Sequence, residues 1–260
     1  MSHNSSMRVF LTSVVLMLFA SGQAYSQSSL RLLPKGALIL ERKALPVAGK
    51  SRTLVLWMLR PTRHPSNYSA SDLYTCPDET RGSYYSGPTR VSLIDQANKR
   101  LINTIKVTTD YEETEDSFDL PYAIRRGYYY RVEGVSKREA KPNILWLRDY
   151  NGDSQALEFA LFDAVACMGL QTTLIGYSQA QDKVIRYPIQ LDEIEREKHV
   201  RRTTFWADYL MTKQREKSGN WKYEIDYSGR GGKLDRWEVH YNLAREQFEG
   251  RVVRIENDNP

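Results

Sequence analysis

Short apolar runs of roughly four to eight residues, each broken by turn-forming residues, set the tightest limit on what this chain can fold into. Residues 157–162 are the clearest case: Leu157, Phe159 and Leu161 fall on one face of an extended segment. Similar runs occupy 54–59, with Trp57 inside it, and 91–107, which reads as two strands joined at 96–99. Others fall at 128–132, 144–147, 221–227, 237–241 and 252–255, and residues 172–177 and 184–187 form a hairpin around 178–182. Alternation of this kind buries one face of a sheet and cannot bury one face of a helix. The pattern therefore predicts a mainly β protein, an antiparallel sandwich or barrel-like sheet.

One helix is expected as well. Residues 192–202 are dense in charge, and 204–213 place Phe205, Tyr209 and Leu210 at helical spacing with Thr203 or Thr204 as the cap. Irregular segments are expected at 61–90 and at the acidic stretch 109–117, and fraying at 257–260. The domain reading is a single β-rich unit over residues 27–260. A small C-terminal lobe over 220–260 stays open beside it.

The first 26 residues read as a signal peptide. Arg8 precedes an apolar run over 9–20, and Gly22, Ala24 and Ser26 supply the small residues that a signal peptidase requires. Met7, directly before Arg8, offers a second start. The apolar run falls short of the roughly 20 residues that span a bilayer, and no later stretch is long and apolar enough to do so. The expectation is a secreted or periplasmic protein with no stable membrane insertion of the mature chain.

Lys and Arg number 37 against 32 Asp and Glu, a net charge of +5. The signs are interspersed, which is the composition of a solvated mixed surface. That balance, together with export, argues against nucleic acid as a partner and leaves a polysaccharide or a protein. The two cysteines, Cys76 and Cys167, fall in the exported part, where an oxidising compartment predicts a disulfide between them. Such a bridge would close a loop of about ninety residues and contribute about 4 to 5 kcal/mol in the chain-entropy account. Apolar neighbours of Cys167 supply no base for a catalytic thiolate.

Specific chemistry is suggested by one segment, Asp149-Tyr150-Asn151-Gly152-Asp153-Ser154, with Glu158 shortly after it. Oxygen-bearing side chains at alternate positions around a glycine suit a hard cation, because the chain must curl tightly to aim them at one point. Asp149, Asn151, Asp153 and Glu158 are the candidate ligands and calcium the candidate ion. The same Asn-Gly pair also marks a metal-free Asx or hairpin turn. The segment resembles the calcium loops of the FG-GAP and VCBS repeat families, built on Asp-x-Asn-Gly-Asp-Gly-x-x-Asp between two strands, and the resemblance implies calcium in the loop. Ser154 stands at the family's last Gly, and Leu157 at its closing Asp with Glu158 one place later. A second segment, Asp226-Tyr227-Ser228-Gly229 with Leu234-Asp235, repeats the register but has Arg230 where the first has Asp153.

Other constellations carry less. His64, His199 and His240 have no zinc-like spacing, and no Gly-x-Ser-x-Gly elbow occurs. Tyr84-Tyr85, Tyr128-Tyr129-Tyr130 and five Trp invite a carbohydrate-binding reading, although strand positions account for most of them as sheet residues. Asp149, Asp153, Glu158 and Asp163 form the densest acidic set that a hydrolase could use. The combined expectation is a structural or binding role, with carbohydrate binding and carboxylate-dependent hydrolysis as alternatives.

Overall fold

A computed structural model describes residues 32–64, 84–108, 144–165, 169–213, 219–227 and 233–255. In chain order, β1 (Ala37–Ala44), β2 (Arg52–Leu59), β5 (Thr89–Asp95) and β6 (Arg100–Val107) make a four-stranded antiparallel sheet in the order β1-β2-β5-β6. Two short strands, β3 (Thr62–His64) and β4 (Tyr84–Ser86), pair with each other between β2 and β5. A second sheet joins β7 (Glu158–Val165), β8 (Gly169–Ser178) and β12 (Ala207–Asp208), with β9 (Lys183–Arg186) also on β8. The third and largest sheet runs in the order β11 (Lys198–Thr204), β10 (Ile189–Glu195), β15 (Gln247–Ile255), β14 (Leu234–Asn242) and β13 (Asn220–Asp226). The protein is mainly β, as its alternation predicts, and sandwich-like. One pair departs from antiparallel order: β10 lies parallel to β15, with Ile189 opposite Phe248.

A single hydrophobic cluster draws on all three large sheets, including Leu54, Leu56 and Met58 from β2, Phe159 and Leu161 from β7, and Trp221, Trp237 and Phe248 from the largest sheet. Strand β2 is buried on both faces, since Val55 and Trp57 join Leu33 and Ile94 in a second cluster on the other side. That is why its sequence reads as an unbroken apolar run. The first two sheets are tied edge to edge by Asn103, whose amide donates to Val184 O at 2.8 Å and accepts from Val184 N at 3.0 Å. A side-chain amide here takes the place of a ladder peptide.

The expected helix is not there. Residues 192–202 form the β10–β11 hairpin, turned at Arg196, which has a φ of 53°. Their charges pair across strands: Asp192 lies opposite Arg201, and Arg202 donates to Glu193 at 2.7 Å. Charge density misled because it satisfies a two-stranded ribbon as well as a helix. In 204–213, Tyr209 adopts a φ of 57°, which no helix interior accepts, and only a 3-10 turn at Leu210–Thr212 follows. Residues 144–147 are not a strand either. Ile144 and Leu145 are buried, but their N–H groups donate to the two oxygens of Glu41, each at 2.9 Å, instead of to a neighbouring strand. The expected strand at 128–132 and both Cys76 and Cys167 lie outside the described residues.

Candidate functional site

The Asp149 segment is a loop whose ends are fastened. Arg148 and Glu158 form an isolated antiparallel bridge, with Arg148 N donating to Glu158 O at 2.8 Å and Glu158 N to Arg148 O at 3.2 Å. Inside that clasp, the side-chain acceptors bind the loop's own backbone. Asp149 accepts from Gly152 N at 2.6 Å and from Ser154 N at 3.0 Å. Asn151 Oδ1 accepts from Asp153 N at 3.0 Å, and Asp153 Oδ1 from Gln155 N at 2.8 Å, two successive Asx turns. Gly152 and Ser154 hold φ values of 84° and 68°, so the chain turns through the left-handed region twice. The Asn-Gly pair thus serves a longer Asx-built loop and not a two-residue hairpin.

Glu158 turns back into this loop. Its carboxyl accepts from Tyr150 N at 3.1 Å and from the Asn151 amide at 3.2 Å, while Leu157 points into the core. Register on β7 and β8 makes the room: Glu158 lies opposite Gly176, where a Cβ would fall 2.8 Å from Glu158 Cγ and 2.9 Å from Leu157 O. Gly219, just before β13, presses on the other side. A Cβ there would meet Asn151 O at 2.5 Å, and its φ of 73° suits glycine in any case. The loop is thereby wedged between the second sheet and the start of the third, beside Tyr187, whose ring meets Tyr241 and Phe248 edge-on.

This position decides the electrostatics. Glu158 has no exposed surface, and burial, followed by the nearby charges of Asp153 and Asp149, pushes its carboxyl up to about 8. Its hydrogen-bond donors are neutral. At neutral pH it is mostly protonated, a buried acid held beside two further carboxylates. The structure brings Asn151 to both Asp153 and Glu158, with the Asn151 amide 3.3 Å from Asp153 Oδ2. Among the described residues, however, no three His, Cys, Asp or Glu side chains are gathered closely enough to hold a metal as they stand. Asp163 lies five residues further along β7, roughly 16 Å from Glu158.

The second Asp-Tyr segment has a partly similar outcome. Asp235, the counterpart of Glu158, is also buried and also pushed up by burial, but Arg254 stands 3.7 Å away. Its Arg230 lies outside the described residues.

Two polar constellations were not visible in the sequence. Arg52 of β2 forms a bidentate pair with Asp182, Nε to Oδ1 at 3.0 Å and Nη2 to Oδ2 at 2.7 Å, and reaches Asp95 at 2.8 Å. Tyr177 donates to the same Asp182 at 2.6 Å. Asp208, on β12, accepts from the Tyr227 hydroxyl at 3.1 Å, its backbone oxygen accepts from Tyr223 at 2.8 Å, and burial raises its carboxyl. Both join residues far apart in the chain, and no local spacing announces them. Neither offers a nucleophile with a base.

The outward face of the largest sheet holds a concavity of about 530 Å³. Arg201, Asp192, Arg251, Glu238 and Lys222 cross it as register partners on five strands, positive and negative in turn. Among the described residues the exposed large hydrophobics are Val200, Phe205 and Leu243, so no aromatic row faces outward. Comparison with known proteins finds no family model, no curated protein and no solved structure that matches the chain.

Proposed function

We propose that this chain is an exported structural or binding β-protein in which the Asp149 loop is the ligand-responsive element, with calcium as its ligand. The observation that carries this reading is Glu158: a fully buried carboxyl aimed into a turn that already holds Asp149 and Asp153, and hydrogen-bonded there to Asn151. Asp149, Asp153 and Glu158 lie in one loop with neutral donors alone between them, and a cation drawn among them would keep Glu158 ionised where burial alone protonates it. To bind, the ion must draw Asp149, Asp153 and Glu158 closer together than they stand, against the loop's present Asx-turn hydrogen bonds. That exchange predicts modest affinity and proton release on binding.

Further support for a non-catalytic role is that, among the described residues, these ion pairs tie the fold to itself: Arg52 with Asp182 of the β8–β9 turn, Glu193 with Arg202, Glu224 with Arg236. No helix among the described residues is long and apolar enough to cross a membrane. The test is a melting curve of the protein in calcium and in chelator, repeated for Asp153→Ala. Calcium at millimolar level should raise the melting temperature of the parent by a few degrees through mass action and leave the variant unmoved. Identical curves for the parent in both conditions would sink the calcium reading.

A further inference from the structure

Strand β11 reads Lys-His-Val-Arg-Arg-Thr-Thr and closes one side of the five-stranded sheet. Its first six residues are all exposed, and among the described residues no strand pairs with its outer side. An unpaired strand edge presents a row of backbone N–H and C=O groups, a ready template for one more strand. Proteins blunt such edges with bulges, prolines, short length or charged side chains. β11 has an unbroken register with β10 over seven pairs and no proline, so its protection is charge, which repels a like strand and admits one of opposite sign.

Charge then selects the occupant. Lys198, His199, Arg201 and Arg202 give this edge four basic side chains in seven residues and no acid. Alternation sends Lys198 and Arg202 to one face of the sheet and His199 and Arg201 to the other, so an added strand meets cations on both faces. Arg201 and Arg202 touch Asp192 and Glu193 of β10 on their inner side, yet their side chains remain 62% and 44% exposed. Val200, 39% exposed, puts an apolar contact near the middle of the edge. Two copies of β11 laid edge to edge would set these cations against each other, which disfavours a second copy of this chain.

We propose that β11 is a docking edge for an extended acidic peptide segment of a partner protein, which adds as a sixth strand to the largest sheet. Main-chain hydrogen bonds to β11 supply the affinity, and acidic side chains at successive positions supply the selectivity. The inference stands apart from the Asp149 loop, which no part of it uses.

The experiment titrates the purified protein with a labelled nine-residue peptide of Glu, Val and Thr and follows fluorescence anisotropy at low salt. The comparison peptides are the same sequence N-methylated at alternate amides and a Lys-for-Glu version. Saturable one-to-one binding is expected, together with slowed amide exchange confined to residues 198–203 and their new contacts. N-methylation should abolish it, and the Lys peptide should not bind. Lys198→Gln with Arg201→Gln, both at exposed positions, should weaken it roughly tenfold with the fold intact by circular dichroism, and added salt should weaken it further. The proposal is overturned by the absence of binding at millimolar peptide or by equal binding of the N-methylated peptide, which would mean charge contact alone. Protection that falls elsewhere, or a homodimer protected at 198–203, would overturn it too.

Discussion

Two acidic residues beside the C-terminal end of β8 meet opposite fates. Asp182, in the turn after β8, is gripped by Arg52, Tyr177 and Lys50, and these contacts hold its carboxyl well below the usual carboxylate range. Glu158, on β7 opposite Gly176 of β8, accepts from the neutral donors Tyr150 N and Asn151 and is pushed up to about 8. One site fixes a charge by surrounding it with compensation, so it acts as a clasp between the first and second sheets. The other withholds compensation, and burial raises the acid's pKa. Burial by itself therefore does not say what an acid does; the partner that tertiary packing delivers does.

The largest effect should come from breaking the compensated site. Arg52→Met leaves Asp95 and Asp182 without their shared cation and should lower the melting temperature at pH 7 by roughly 8 °C, measured by calorimetry. A loss under about 2 °C would mean that Tyr177 and Lys50 hold Asp182 unaided. Next comes Gly176→Ala, which forces a Cβ to within 2.8 Å of Glu158 Cγ. Overpacking of this kind should cost roughly 5 °C, and a neutral result would show that the loop gives way easily.

The pH dependence separates the two sites by sign. Glu158 keeps its proton in the fold and loses it on unfolding between its ordinary value of 4.5 and about 8, so its contribution to stability falls as pH rises through that window. Asp182 is depressed, so its contribution is present above its ordinary value of 3.8 and is lost as pH falls below it. Glu158→Gln should flatten the decline between pH 4.5 and 8 and raise the melting temperature at pH 9 by roughly 3 °C, whereas a parallel pH profile would show Glu158 ionised in the fold. Calcium should narrow that difference, because an ion at Glu158 lowers its proton affinity. The smallest change is Tyr177→Phe, which removes one hydrogen bond to Asp182 and should cost roughly 2 °C by urea or thermal melt.

Much of the strand order along the chain was legible in residues alone. The turns at 96–99 and 178–182 fall where expected, closed by Lys99 and Asp182 at φ values of 48° and 50°. The failures share a cause. In 192–202, charges that suit a helix face also suit a hairpin, and only the partner strand distinguishes them. In 144–147, the apolar pair is buried as strand residues would be, but a carboxylate more than a hundred positions away satisfies its backbone. The role of Gly176 was equally hidden, because its reason is the side chain across the ladder.

For the candidate site, the acceptors Asp149, Asn151, Asp153 and Glu158 stand out by type and spacing, since a tight turn needs such residues whatever it binds. Their direction does not. Sequence determined that this chain would be a β protein with an acceptor-rich loop before β7, because alternation and turn chemistry act over a few neighbouring residues. Tertiary structure decided that Glu158 is a buried acid raised by burial, that Arg52 clasps Asp182 and that β11, among the described residues, is an edge strand of exposed basic residues. Each of these rests on which distant strand lies alongside, and solvent exclusion and charge compensation are properties of that assembled neighbourhood.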